Sequence, residues 1–148
     1  MCDLSTKQNL AAEFFDSGFN CAQSIFATFC EKYSLNQETA FRLACGLGGG
    51  FRSGEICGAV SGAVLVVGLK YGQYIAGDSA AKSQCYSKTV EFLDAFKVKN
   101  HSIVCREILG CDISTDEGRR EAQNKNLFKT TCIDMIKSAV SILEELGY

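Results

Sequence analysis

Apolar residues recur at spacings of three and four along most of the chain, and no stretch alternates apolar with polar residues, so the pattern predicts helices and no strands. Ser5-Thr6-Lys7-Gln8 reads as a capping box opening a helix that runs to Ser17 before Gly18, with Leu10 and Phe14 facing inward. Asn20-Cys21-Ala22-Gln23 repeats the device and opens a helix to Tyr33 whose apolar face is Ala22, Ile25, Phe26, Phe29 and Cys30. A third helix follows Asn36, with Ala40, Phe41, Ala44 and Cys45 at helical spacing. The run from Ile56 to Leu69 carries no charge and predicts a buried helix over roughly Glu55 to Tyr71, with flat spots at Gly58, Gly62, Gly68 and Gly72. Asp78 caps a long helix to about Lys99, in which Thr89, Phe92, Leu93 and Phe96 form the stripe. Ser102 caps a short helix with Cys105 at its third position and Gly110 as a left-handed stop. Ser114-Thr115-Asp116-Glu117 is another capping box, and Thr131-Cys132-Ile133-Asp134 opens a last helix with Met135, Ile136, Ala139, Val140 and Leu143 inward.

These elements predict an all-α fold: one domain over residues 1–148, a bundle of about seven to eight helices around a buried glycine-rich central helix. Its composition agrees, because 47% hydrophobic and 22% charged residues make an ordinary globular balance and proline, the strongest helix breaker, is absent. A net charge of -2 with scattered Lys and Arg gives no footprint for nucleic acid. The uncharged run of fourteen residues is short of the roughly 20 that cross a bilayer, so no membrane partner is expected. Met1-Cys2-Asp3-Leu4-Ser5-Thr6-Lys7 is polar from the outset and does not read as a leader, which places the chain in the cytoplasm. Thiols there are kept reduced, so nine cysteines point to metal binding, redox chemistry or plain burial before a disulfide scaffold.

Position along the helices sorts the cysteines. A thiol in a first turn faces unpaired amides and the positive helix end, and Cys21, Cys57, Cys105 and Cys132 all fall there. Cys30, Cys45 and Cys85 sit in helix interiors or late turns, where cysteine packs as a small hydrophobe, and Cys2 lies in a tail expected to fray. Cys111 follows the Gly110 turn, which folds it back towards Cys105, so it either joins a site or covers one. His101, the sole histidine, precedes Cys105 by one turn and reads as a solvated loop residue or an extra ligand. Arg119-Arg120-Glu121 with Lys125 reads as a wet helix face. Four helices aimed at one centre would bring the four first-turn sulfurs together as a tetrathiolate site. No C-x-x-C pair exists among them, so spacing alone leaves buried, chemically idle cysteines as an equal alternative. The glycine-dense loop from Gly46 to Gly54 adds backbone amides able to approach a bound group, with Gly48, Gly49, Gly50 and Gly58 as the candidates.

Gly18-Phe19-Asn20-Cys21-Ala22-Gln23, Cys57-Gly58-Ala59-Val60-Ser61-Gly62, Cys105-Arg106-Glu107-Ile108-Leu109-Gly110 and Cys132 in a terminal amphipathic helix together resemble the redox-type family C_GCAxxG_C_C. The resemblance places the four family cysteines on Cys21, Cys57, Cys105 and Cys132, the same four chosen by helix position. The family is similar to a module attached to split-Soret cytochromes, which implies an iron–sulfur centre. Cys111 falls outside the family pattern and stays open as an extra ligand or a resolving thiol. Three functions follow as expectations. The first is electron transfer or redox sensing by an iron–sulfur cluster on the four cysteines, with an unidentified redox partner protein. The second is a thiol–disulfide oxidoreductase in which a cysteine such as Cys57 attacks and a neighbour resolves. The third is a non-catalytic interaction module closed by structural Zn²⁺. The flattened central helix could also receive a second copy of the chain as a homodimer.

Overall fold

The computed structural model describes residues 4–148, with side chains from Thr6 onward, so Cys2 and the hydroxyl of Ser5 lie outside the described residues. Eight α-helices follow one another: α1 Leu4–Asp16, α2 Cys21–Phe29, α3 Gln37–Ala44, α4 Gly58–Tyr71, α5 Ser79–Asn100, α6 Cys105–Leu109, α7 Asp116–Asn124 and α8 Thr131–Glu145. No strand forms among the described residues. One isolated bridge, Ile56 to Val104, stands in its place. The all-α expectation holds.

Capping chemistry sets most of the boundaries. Asn20 accepts from the Gln23 N–H while the Gln23 amide accepts from the Asn20 N–H, so the expected box opens α2. Asn36 and Asp78 cap α3 and α5 through Thr39 and Ala81 as read from the sequence. α2 narrows into a 3-10 turn over Cys30–Tyr33. Other starts differ from expectation, among them α8, which has Thr131 as its first residue and no side-chain cap. α4 begins at Gly58, not Glu55, because Cys57 is extended and its N–H is drawn to the Ile103 carbonyl. α6 begins at Cys105 itself: the Ser102 hydroxyl accepts from the Val104 N–H, ahead of the helix, and donates to the Glu107 carboxylate, so it caps no backbone N–H within α6. α7 is capped by Thr115 and not Ser114, since the Ser114 hydroxyl is already held by Asp112 at 2.6 Å.

The main core gathers Ile25, Phe26 and Phe29 from α2, Val60, Val66 and Val67 from α4, Phe92 and Phe96 from α5, and Ile136, Val140 and Leu143 from α8. Cys30 is fully buried there and Cys85 half-buried against it, as expected of packing residues, whereas Cys45 is exposed. The chain leaves its α-helix at Ala44 and tightens into a 3-10 turn at Cys45, which rotates that side chain off the apolar face.

α2, α4 and α8 run side by side in one direction. Their first residues meet at one end, while at the other Tyr71 and Tyr148 pack edge to face at 5.9 Å and Tyr33 lies close enough to share their field. The contact of α2 with α4 depends on two glycines four residues apart. A Cβ on Gly58 would stand 2.9 Å from Cys21 Cβ, and one on Gly62 would stand 2.7 Å from the Ala22 carbonyl oxygen and 3.0 Å from its Cα. Gly68, further along α4, has nothing within 4 Å of that position.

The same substitution therefore acts with opposite signs along one helix. Gly62→Ala should destabilise the fold by about 1–3 kcal/mol, because backbone cannot rotate away from the new methyl group. Gly68→Ala should stabilise it by about 0.5–1 kcal/mol through helix propensity and the unfolded-state entropy of glycine. Urea unfolding midpoints of the two variants check both signs, and equal shifts in one direction would contradict the packing described.

Candidate functional site

Asn20 and Cys57 each end an extended segment at the lip of a cavity of about 230 Å³, where the starts of α2, α4, α6 and α8 face one another. Cys21 is the first residue of α2, Cys57 the N-cap of α4, Cys105 the first residue of α6 and Cys132 the second of α8. All four line the cavity. Between them stand the apolar side chains of Phe15, Ile108, Leu109, Ile113, Phe128 and Met135. Asn20 anchors the lip twice over, since its side-chain amide also donates to the Cys45 carbonyl at 2.8 Å.

Local backbone explains how distant segments deliver these sulfurs. The Cys105 N–H donates to the Glu55 carbonyl and the Cys57 N–H to that of Ile103, so the leads into α4 and α6 zip together as a two-rung ladder. Arg106 reinforces it from outside through Glu55 Oε1 at 2.6 Å and the Gly54 carbonyl. Gly58 must lack a side chain for Cys21 to approach, and Gly48 likewise, since a Cβ there would stand 2.5 Å from the Asn20 side chain. Gly48, Gly49 and Gly58 line the cavity. Gly50 faces the loop interior, where its carbonyl accepts from the Glu55 N–H and a Cβ would meet Glu55 backbone at 2.4 Å.

Gly49 and Gly50 begin a left-handed turn that continues through Phe51 (φ 59°, ψ 32°) and Arg52 (φ 57°, ψ 17°). Left-handed backbone costs roughly 1–2 kcal/mol at each non-glycine residue. The turn sends Phe51 to the outside, half exposed, and Arg52 to the cavity. No sequence signal marked it, because loop glycines announce positive φ only at their own positions.

Burial outweighs the helix starts in setting the thiols. It pushes Cys57 up to about 11 and Cys105 up to about 12, with the neighbouring sulfurs adding to the effect on Cys105. The hydrogen bond from Cys21 pulls Cys132 below the ordinary thiol range, and the same contact, with burial, holds Cys21 well above it. Burial thus works against the low-pKa thiol expected at Cys57, and of the four only Cys132 lies below the ordinary thiol range. Cys111 is buried beside Cys105 and Cys132 in a small second core, yet it does not line the cavity. His101 is exposed in the left-handed cap of α5 and also stands outside it. Arg119 and Lys125 pair with Asp116 and Glu121 on the surface of α7, a solvated face as expected. Among the described residues, no three His, Cys, Asp or Glu side chains stand close enough to hold one metal ion, and no helix is long and apolar enough to cross a membrane.

In metal-free protein, alkylation by iodoacetamide should reach Cys132 first of the four. At pH 8 the thiolate fraction of Cys57 should be about a hundredfold below that of a thiol with an ordinary pKa near 9, and its rate should keep rising towards pH 11 while that of Cys132 levels off below 9. Peptide mapping of partly labelled protein reads the order, and Cys57 labelling ahead of Cys132 would contradict it.

No curated protein and no solved structure matches the chain. A family model does, over residues 19–146, and its span takes in all four cavity cysteines and the Cys57-Gly58-Ala59-Val60-Ser61-Gly62 box. On that match the chain belongs to the C_GCAxxG_C_C family, described as "Putative redox-active protein".

Proposed function

We propose that the four sulfurs hold an iron–sulfur cluster and that the protein carries electrons or senses redox state. The observation that carries this reading is the width of the cavity. A single Zn²⁺ needs four sulfurs within about 2.3 Å of one point, and among the described residues no three ligating side chains stand close enough to hold one ion. A space of about 230 Å³ exceeds the roughly 150 Å³ that holds a benzene-sized molecule, which suits a polynuclear group better than one ion. The donor set agrees: four thiols line the walls, with no carboxylate and no imidazole among them.

Such a group supplies one-electron chemistry. The chain's own part is to place Cys21, Cys57, Cys105 and Cys132 on separate helix starts and to surround them with Phe15, Ile108, Ile113, Phe128 and Met135, which exclude water. The high proton affinity of Cys57 and Cys105 means that loading releases protons and is favoured as pH rises. Protein purified or reconstituted without oxygen should be brown and contain iron, and Cys57→Ala or Cys105→Ala should remove most of the visible absorption. A colourless product that takes up no iron overturns the reading, and bound zinc alone would favour the structural site instead.

The contact between Cys21 and Cys132 favours a second reading for metal-free protein, thiol–disulfide exchange. Cys132 thiolate attacks a substrate disulfide and expels one thiolate; Cys21 then loses its proton and attacks the Cys132 sulfur, expelling the second and leaving a protein disulfide. Peptide mapping after treatment with an aromatic disulfide should find a Cys21–Cys132 disulfide in the native sequence and a mixed disulfide on Cys132 in Cys21→Ser. Neither product in metal-free protein removes this alternative.

A further inference from the structure

Arg52 is the single charged residue among the described residues that line the cysteine cavity. Among the described residues no carboxylate pairs with it, and Glu55, three residues on, binds Arg106 at 2.6 Å instead. Its guanidinium reaches back over Gly49, with Nη1 3.7 Å from the place a Cβ would occupy there. The left-handed turn over Gly49 to Arg52 is what points this side chain at the cavity mouth while Phe51 points away. A free cation at the rim of an otherwise apolar cavity acts over a low-dielectric wall, where its field falls off slowly.

We propose that Arg52 makes the mouth of this cavity a recognition site for small carboxylate-bearing molecules, so that anions of this class reach the four sulfurs ahead of neutral molecules of the same size. The carboxylate meets the planar fork of the guanidinium, whose paired N–H donors match its two oxygens. The apolar body of the molecule lies against Phe15, Ile113 and Phe128, and the sulfurs stand beneath. This goes beyond the electron-transfer reading and does not depend on which group the sulfurs hold.

Iodoacetate and iodoacetamide test it on metal-free protein, since they differ in charge and share the same reaction, displacement of iodide by a thiolate. The thiolate fraction cancels in the ratio of their rates at one cysteine. Exposed Cys45, outside the cavity, gives an internal reference on the same chain. The iodoacetate to iodoacetamide ratio at Cys132, relative to that at Cys45, should fall about threefold or more in Arg52→Gln and by less in Arg52→Lys, which keeps the charge and loses the fork. In the native sequence it should also fall as salt is raised from about 0.01 M to 1 M, over which the screening length contracts from about 30 Å to 3 Å. An unchanged ratio at Cys132 in Arg52→Gln, or a native ratio indifferent to salt, overturns the proposal. The salt arm needs no variant, so a misfolded Arg52→Gln leaves it decidable. Because the measurement is silent on iron, either result leaves the iron–sulfur reading where its own test puts it.

Discussion

The close approach of α2 to α4 governs the rest of the molecule. With hydrogen in place of a methyl group at Gly58 and Gly62, one helix backbone rests directly on another, and the first residues of both come level. That registers Cys21 against Cys57, and α8, packed on both helices in the same direction, brings Cys132 to the same end. The core and the cavity thus share one cause. Interiors this dense transmit a displacement instead of absorbing it, so a side chain on either glycine would disturb the cysteines as surely as it would the packing.

Two opposing electrostatic effects meet at the sulfurs. Helix starts favour negative charge, while removal from water disfavours it, and in this cavity the second prevails for Cys57 and Cys105. Cys132 escapes because Cys21 donates a hydrogen bond to it. Thiols held this way stay largely protonated at neutral pH, Cys57 and Cys105 most of all.

Much of this was legible in the sequence because caps are local. Asn20 with Gln23, Asn36 with Thr39, and Gly110 each act within a few residues, so the residues themselves announce the boundary. Cys21 stands at a helix start for that reason, whereas the starts at Cys57, Cys105 and Cys132 carry no side-chain cap. The misses have longer-range causes. Glu55 was read as helical, but its carbonyl is claimed by Cys105 some fifty residues later; Ser114 lost its capping role to Asp112, and Cys45 left the apolar face when the helix tightened. Arg52 was not singled out at all, since nothing in Gly50-Phe51-Arg52-Ser53 shows that the left-handed path outlasts the glycines.

The ladder of Cys57 to Ile103 and Cys105 to Glu55 gathers the chain at only one crossing, while the four sulfurs span residues 21 to 132. Anything that binds them all knots three successive segments into closed rings at a single point, which removes far more freedom from the unfolded chain than from the folded one. Occupancy and folding would then be thermodynamically one event: the bundle would surrender its guest by opening as a whole, and a cell short of that guest would hold a looser protein, not merely a vacant one.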